Sequence, residues 1–543
     1  MKGLWGNSTA LVDLLKVLVS VPSIVGTNGE VVMGEKIISL IKEIDYFKEN
    51  PDQVVQMKIK NDQWGRFSVA AVYEGNPSDN RAYVLLSHFD VVGIDDFGQH
   101  KYLAFDCDRY TEQMQKETVA EDVAKDVKSG DWLFGRGVMD MKAGLAIQMA
   151  IMADAIAEEK KINIILLATP DEERNSEGML ASVEWLAEWK RRHQYEEMIG
   201  ICSEPSFTSF PGDEAKYIYT GSVGKMLPLV CAVGRETHVG EPLAGVNASW
   251  MISEVVCEME LSDRFVEEED GDLVPPPTVL RLSDLKYEYN VQTPTFAYAT
   301  FNVLTYKKNA QEVLDEIGKT LKFCTETIHQ RLTDRYKTYQ VEQEIPAVSI
   351  YSFGELRDRG VERNGKSFLN RLENVAKRVE GEGGDTRDVT IALARELGDS
   401  FSELAPFYVM MFAPPYYPAV SLRKNDPIES KLLLDMSSLQ KWTEEQFSEK
   451  IIEKRYFPGL SDVSYGKIEQ PDEVRETLER NMPTLFKGYE LPLASMQQLN
   501  MPTVNIGPYG KDAHKRTERL HLPFFTNVAP AMLKQFIDKS SKG

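Results

Sequence analysis

The hydrophobic pattern of the chain predicts four buried strands, each followed closely by polar side chains. The apolar runs end close to residues 88, 171, 202 and 506, and each has the length and composition of a strand. The polar residues beyond them are His88 and Asp90, Glu172 and Glu173, Glu204, and, after a Gly/Pro turn, His514. In open α/β sheets, ligands bind just beyond the carboxyl ends of the strands. The pattern therefore predicts one site at an edge of a sheet.

Asp140 precedes a clear helical pattern. Leu145, Met149, Met152 and Ile156 recur at helical intervals, so we expect a helix to begin close to Asp140. Strand and helix patterns alternate from residue 11 to about residue 216. Such alternation predicts the α/β fold class, with a mixed sheet flanked by helices.

The order of elements changes near residue 216, which predicts a second domain. A strand, a long helix, an acidic loop, two strands and another helix follow, as in a small α+β (ferredoxin-like) domain. From about residue 341 the α/β pattern resumes. We therefore predict a large α/β domain built from residues 1–215 and 341–543, with residues 216–340 inserted into it. The sequence indicates no function for the segment 341–461 or for an acidic loop at 95–131.

The charge and the cysteine content exclude several classes of protein. The formal net charge of −22 disfavours nucleic acid and anionic membrane surfaces, which both attract clustered Lys and Arg. No apolar run approaches the roughly 20 residues that span a bilayer. The five cysteines are scattered and form no C-x-x-C pair, which is typical of a reducing compartment. We expect a cytoplasmic protein.

The polar residues at the strand ends match the ligands of a two-metal centre. Such a centre needs a carboxylate between the ions, terminal histidine or carboxylate ligands, and a free carboxylate that accepts a proton from water. His88 and Glu204 are candidates for one ion, and Glu173 and His514 for the other, with Asp140 between them.

Two further carboxylates have roles of their own in this hypothesis. Asp90 lies two residues after His88 and is predicted to fix the tautomer of its imidazole. Glu172 is adjacent to a ligand and is predicted to be the general base.

Each of these residues also has an ordinary structural interpretation. Asp140 is a typical N-cap, the Glu172–Glu173 pair a typical solvated helix start, and His514 a typical exposed loop residue. His521 is a rival of His514. The order of the residues along the chain, each placed after a strand, favours the metal centre.

The same segments resemble those of M20-type metallopeptidases, over essentially the whole chain. The matching motifs are His88-Phe89-Asp90, Gly135-Arg136-Gly137 with Asp140, Asp171-Glu172-Glu173, Ser203-Glu204-Pro205, and Gly507-Pro508 with His514. The resemblance is closest to the branch of the arginine-utilisation protein RocB. It implies a zinc-peptidase-like catalytic domain with two Zn²⁺ ions, which Mn²⁺ or Co²⁺ replaces in some members, and an inserted lid that often forms a homodimer.

The resemblance also implies roles for residues outside the metal centre. His238 matches a lid histidine that stabilises the oxyanion. Ser461 and Asp462 match a Gly-x-Ser-Asp element near the substrate. Leu304 stands about where many relatives have an arginine that binds a substrate carboxylate, and Asn302 remains there as a polar contact.

These implications predict a metal-dependent hydrolase of an amide-type C–N bond. The expected substrate is a small N-acyl or N-carbamoyl amino acid of arginine or ornithine breakdown. Two alternatives stay open: a dipeptidase or carboxypeptidase on the same site, and a catalytically silent metal-binding scaffold.

Overall fold

The computed structural model describes residues 3–207, 212–286 and 288–541. The helices are α1 Ser8–Val19, α2 Gly29–Ile41, α3 Asp45–Glu49, α4 Cys107–Met114, α5 Glu121–Ser129, α6 Lys142–Ala157, α7 Glu177–Arg192, α8 Ala248–Met259, α9 Ala310–Tyr339, α10 Phe353–Asn364, α11 Lys366–Gly381, α12 Thr386–Ser400, α13 Pro427–Phe447, α14 Pro471–Asn481, α15 Leu493–Leu499 and α16 Ala529–Ser540. The strands are β1 Val54–Lys58, β2 Phe67–Glu74, β3 Arg81–His88, β4 Trp132–Phe134, β5 Asn163–Thr169, β6 Glu197–Cys202, β7 Lys216–Tyr219, β8 Gly221–Ser222, β9 Gly224–Val233, β10 Glu268–Glu269, β11 Asp272–Leu273, β12 Thr278–Asp284, β13 Phe296–Thr305, β14 Ser349–Ser352, β15 Phe407–Tyr417, β16 Val420–Ser421, β17 Ile451–Lys454, β18 Thr503–Asn505, β19 Gly510–Lys511 and β20 Arg519–His521.

The chain forms two compact units. The first consists of Met1–Ser222, Val420–Glu469 and Pro492–Gly543, and the second of Val223–Ala419 and Gln470–Leu491. In the parts of the chain that the structure describes, no helix has both the length and the apolar composition needed to cross a membrane.

An eight-stranded mixed sheet forms the centre of the first unit. Its strand order is β1-β2-β5-β3-β6-β18-β7-β17. β3 pairs in parallel with β5 and β6, and β6 pairs in parallel with β18. All four strands predicted from the hydrophobic pattern are therefore present as parallel neighbours. Their carboxyl ends meet at one edge of the sheet.

Burial on both faces explains why these strands are apolar without alternation. Every residue of β5 is buried, and so is every residue of β3 after the first. The predicted helix after Asp140 is α6, whose residues from Lys142 to Ala155 are all buried. It packs against β3, β5, α1 and α16. This layer forms the main hydrophobic core of the first unit.

The second unit contains a five-stranded sheet in the order β12-β13-β9-β15-β14. The first four strands are antiparallel neighbours and, with α8 and α9, have the connectivity of a ferredoxin-like domain. β14 is added in parallel beside β15.

The second unit extends beyond the boundary that the sequence predicts at residue 340. It begins at Val223, continues to Ala419 and includes Gln470–Leu491. The reason is β15, which pairs with β9 and supplies the fourth strand of the ferredoxin-like sheet. The helices α10–α12 come before this strand in the chain, so the segment has the alternating pattern of the catalytic domain.

Candidate metal centre

The edge of the sheet in the first unit brings together all five candidate ligands. His88 is the last residue of β3, Glu173 follows β5, and Glu204 follows β6. Asp140 lies two residues before α6. His514 lies in the loop between β19 and β20, beyond the end of β18.

The ligand atoms form two triads that share Asp140. His88, Asp140 and Glu204 form one triad, and Asp140, Glu173 and His514 form the other, with the ligand atoms in each within 4.8 Å of one another. His88 Nε2 lies 3.3 Å from Asp140 Oδ1 and 3.6 Å from Glu204 Oε1. His514 Nε2 lies 3.1 Å from Asp140 Oδ2 and 3.0 Å from Glu173 Oε1. The two oxygens of Asp140 thus face different histidines, as a bridging carboxylate requires.

Asp90 contacts both His88 and the turn that carries the acidic pair. Nδ1 of His88 lies 3.1 Å from the backbone carbonyl of Asp90 and 3.5 Å from its carboxylate. Because a carbonyl can only accept, Nδ1 carries a proton, and Nε2 is the nitrogen that can bind a metal. The carboxylate accepts hydrogen bonds from the backbone N–H groups of Glu172 at 3.2 Å and Glu173 at 3.1 Å. Asp90 therefore also holds the Glu172–Glu173 turn against β3, a contact that sequence reasoning missed.

Glu172 belongs to neither triad, but its carboxylate lies beside one of them. Its Oε2 is 3.8 Å from His88 Nε2, and its buried Oε1 has no hydrogen-bond partner among the described residues. Burial raises the pKa of Glu172 well above its ordinary value, and the negative charges of Glu204 and Glu173 raise it further, although His88 opposes them. A buried carboxylate oxygen without a partner is costly, unless a bound group such as a water molecule uses it.

The carboxylates of the two triads favour a bound positive charge. Burial acts to lower the pKa of His514, but hydrogen bonds to Asp140 and Glu173 outweigh it and raise that pKa to about 11. Burial acts in the same direction on His88, and the nearby carboxylates of Glu172 and Glu204 hold its pKa well above the usual value. Each triad thus stabilises a positive charge. Two imidazoles and three carboxylates are the donors that zinc and related divalent ions bind.

Two glycines let other segments lie directly against the backbone of Ser203 and Glu204. A Cβ atom on Gly507 would lie 2.0 Å from the carbonyl oxygen of Glu204, and one on Gly144 would lie 2.2 Å from that of Ser203. Asn505, at the end of β18, donates a hydrogen bond of 3.1 Å to the same Glu204 carbonyl. The Gly507-Pro508 motif therefore has a steric reason: only glycine fits where β18 ends beside Glu204.

Arg136 and Glu518 form a buried ion pair next to Asp140 that sequence reasoning missed. Each is 1% exposed, and Arg136 Nη1 lies 2.9 Å from Glu518 Oε2. The sequence analysis quoted Arg136 only as part of the Gly135-Arg136-Gly137 motif. Glu518 stands in a polar loop, where the sequence contains no sign of its burial.

Ser461 and Asp462 lie in the first unit and are almost completely buried. Asp462 accepts a hydrogen bond of 2.6 Å from the Thr169 hydroxyl at the end of β5. The Ser461 hydroxyl accepts one of 3.4 Å from the N–H of Val463. Both residues are thus engaged within the protein, and their role at the substrate stays a prediction.

The remaining candidates belong to neither triad. His238 and Asn302 belong to the second unit, where Asn302 is half-buried on β13 and His238 is exposed. Nδ1 of His238 accepts a hydrogen bond of 3.0 Å from the N–H of Gly240, so its exposed Nε2 carries the proton. Their proposed roles stay predictions. His521, the rival of His514, lies on β20. Its ring packs against that of Trp132 on β4, and it belongs to neither triad.

The sequence matches known proteins over most of its length. A model of the peptidase family M20/M25/M40 matches residues 103–414, more than half of the chain. The chain is 38% identical over 537 residues to the uncharacterized protein YqjN of Bacillus subtilis (strain 168), covering 97% of this chain and 96% of YqjN. It is 32% identical over 531 residues to protein RocB of the same organism, covering 95% of this chain and 92% of RocB. A shorter match, 30% identical over 155 residues, covers 28% of this chain and 37% of succinyl-diaminopimelate desuccinylase 1 of Alteromonas mediterranea.

Solved structures share the fold over the whole chain. A tripeptidase from Staphylococcus aureus matches with a TM-score of 0.52 and 12% identity, covering 99% of both chains. The M20 family metallo-carboxypeptidase Sso-CP2 from Sulfolobus solfataricus matches with a TM-score of 0.53 and 11% identity, covering 98% of this chain and 99% of that one. At these identities the likeness concerns the fold alone, and it confirms the predicted fold class.

Proposed function

Because the chain belongs to peptidase family M20/M25/M40 and is therefore a metallohydrolase, we propose that it hydrolyses the amide-type C–N bond of a small N-acyl or N-carbamoyl amino acid. The nearly full-length match to RocB confirms the branch that the sequence resembles. The resemblance to the arginine-utilisation protein RocB supports a place in arginine or ornithine breakdown. The shorter match to a desuccinylase supports an N-acyl substrate.

One observation carries this proposal: two ligand triads share Asp140, and Glu172 stands beside them with an unused oxygen. This arrangement suits two divalent ions, most simply Zn²⁺, with Mn²⁺ or Co²⁺ as alternatives. His88, Glu204, Asp140, Glu173 and His514 would hold the ions. When bound, such a pair supplies Lewis acidity and lowers the pKa of a bound water.

The residues of the chain supply the proton transfers. Glu172 accepts the proton of the attacking water through Oε1 and delivers it to the leaving amine. His238 donates Nε2–H to the oxyanion of the tetrahedral intermediate. Since Nδ1 is already used by Gly240, the tautomer that this role needs is fixed.

We also propose a homodimer through the second unit and a cytoplasmic location. β12 is an edge strand of the ferredoxin-like sheet, and it exposes Leu280 and Leu282, which are 57% and 48% accessible. An exposed apolar edge strand is a template for pairing with a second copy. Sedimentation should give a dimer for the wild type and a monomer for Leu282→Glu. The control Leu434→Glu, on the exposed side of α13 in the first unit, should stay dimeric, and a monomeric wild type would contradict this assembly.

The decisive experiment measures amine release from N-acetyl, N-succinyl and N-carbamoyl amino acids and from dipeptides, with added Zn²⁺, Mn²⁺ or Co²⁺. We expect turnover of one acyl class, lost by about 10²–10⁴-fold in Glu172→Gln, the typical worth of a general base. The control Glu184→Gln, at an exposed site on α7, should keep full activity.

The alternatives give other outcomes in the same experiment. Cleavage of dipeptides alone would identify a dipeptidase. Two bound ions without any turnover would favour the silent scaffold, and the absence of bound metal would contradict the proposal altogether.

A further inference from the structure

Residues 95–129 form a segment without an assigned role, which we call the buttress segment. It consists of 3₁₀ turns over Asp95–Leu103 followed by α4 and α5. Several of its apolar side chains are buried in the first unit; they include Phe97, Leu103, Tyr110 and Val123. The segment therefore packs against the core of this unit.

A chain of ion pairs links the buttress segment to Asp140. Both oxygens of Asp96 lie 2.9 Å from Arg136 Nη2, and the Arg136 guanidinium also lies over the Phe97 ring. The other end of the same guanidinium pairs with Glu518 Oε2 at 2.9 Å. Arg136 thus connects an acidic residue of the segment with a fully buried carboxylate.

The second oxygen of Glu518 holds the backbone that carries the bridging ligand. Oε1 accepts hydrogen bonds from the N–H groups of Met139 at 3.1 Å and Asp140 at 3.4 Å. These residues precede α6 and lie in no helix or strand, so the backbone at Asp140 depends on such contacts. The orientation of the Asp140 side chain therefore depends on Glu518.

The buttress segment also holds the loop that carries His514. The Tyr110 hydroxyl donates a hydrogen bond of 2.7 Å to the backbone carbonyl of Arg516, two residues after His514. Arg519, which is fully buried, pairs with Asp126 at 2.8 Å and Asp122 at 3.3 Å. Both carboxylates belong to α5. The His514 loop is thus fixed on its C-terminal side by α4 and α5.

We propose that the buttress segment positions the ligands of the metal centre, and that Glu518 is the positioning residue that sets Asp140. This inference rests on the proposed two-metal function. His514 is half-exposed and stands in a loop, so its place beside Asp140 and Glu173 depends on the backbone around it. The buttress segment thereby acts on both triads: through Arg136 and Glu518 on the shared Asp140, and through Tyr110 on His514.

The test is a stepwise titration of metal-free protein with Zn²⁺ by calorimetry. Glu518→Gln should weaken both binding steps, because Asp140 belongs to both triads. Loss of an outer partner of a ligand typically costs 10–100-fold in metal affinity. Tyr110→Phe removes only the bond to Arg516 and should weaken one step, by about 10-fold, because His514 belongs to one triad.

Glu429→Gln is the matched control. Glu429 is 2% exposed, pairs with Lys467 at 2.8 Å and accepts a backbone N–H from Arg423, in close analogy to Glu518. It belongs to neither triad. Glu429→Gln should lower the melting temperature of the metal-free protein, as Glu518→Gln does, but it should leave both zinc affinities unchanged.

The outcomes separate this inference from the proposed function. A wild type that binds no zinc would overturn the two-metal function. A wild type that binds two ions, with Glu518→Gln and Tyr110→Phe binding them equally well, would overturn the buttress alone. If Glu518→Gln does not fold, Asp96→Asn at the partly exposed end of the ion-pair chain replaces it, and unchanged affinities there and in Tyr110→Phe would overturn the inference.

Discussion

Replacing Gly507 by alanine is a direct steric test of how the Glu204 ligand is held. The added Cβ would lie 2.0 Å from the Glu204 carbonyl oxygen, 2.7 Å from its carbonyl carbon and 2.8 Å from the Ser203 carbonyl oxygen. Ordinary contact begins at 3.4 Å, so the closest approach is short by roughly 1.4 Å. All three atoms are backbone, and no rotation of a side chain relieves the clash.

The hydrogen bonds around Gly507 prevent the two segments from simply separating. Ile506 donates its N–H to the Cys202 carbonyl at 2.9 Å, and Ser206 donates to the Pro508 carbonyl at 2.8 Å. The methyl group therefore has to displace Glu204 itself or break these bonds. Overpacking of this kind costs about 1–3 kcal/mol of stability. A shift of about 1 Å in a site residue costs about 100-fold in rate.

Zinc titration and thermal unfolding measure the two effects. Gly507→Ala should lower the melting temperature and weaken the binding of zinc, and it should reduce kcat/KM by about 100-fold. The control is Gly93→Ala, also in the first unit, where a Cβ would meet nothing within 4 Å. If Gly507→Ala binds zinc and unfolds like the wild type, the steric argument for Glu204 is wrong.

Three further predictions concern charges and hydrogen bonds. Asp90→Asn removes one of the two carboxylate oxygens that accept the N–H groups of Glu172 and Glu173. The free energy of unfolding of the metal-free protein, measured with urea, should therefore fall by about 1–3 kcal/mol. An unchanged unfolding midpoint would contradict this. At pH 7 zinc must displace the proton of His514, whose pKa hydrogen bonds raise to about 11 against the effect of burial. The zinc affinity should therefore rise with pH, and calorimetry in two buffers should detect released protons, whereas no release would refute the protonated state. His238→Ala should reduce kcat by about 100–1,000-fold, as expected for one lost oxyanion donor. It should leave the zinc content unchanged because His238 belongs to neither triad, and wild-type turnover would exclude the role.

The sequence was sufficient for the centre of the first unit. β3, β5 and β6 are buried on both faces, so their apolar runs stand out, and the polar residues at their ends mark one edge of the sheet. The start of α6 followed in the same way from helical spacing. These signals are local, and each can be recognised within about ten residues.

Features that depend on distant partners could not be predicted. β15 has the composition of any buried strand, and only its pairing with β9 assigns residues up to Ala419 to the second unit. Glu518 follows Lys515, Arg516 and Thr517, a polar run typical of a solvated loop. Its burial arises because Arg136, 382 positions earlier in the chain, lies opposite it. Periodicity contains no information on such partners.

The position of β18 has a consequence for synthesis on the ribosome. β18 lies inside the sheet, between β6 and β7, yet it consists of Thr503–Asn505. During translation at about 5–20 residues per second, β6 and β7 are made well before the strand that separates them. Until then β6 has an unpaired edge, which is a template for aggregation. The nascent protein is thus most vulnerable late in its synthesis, when nearly all of its sequence has emerged but its central sheet is still divided.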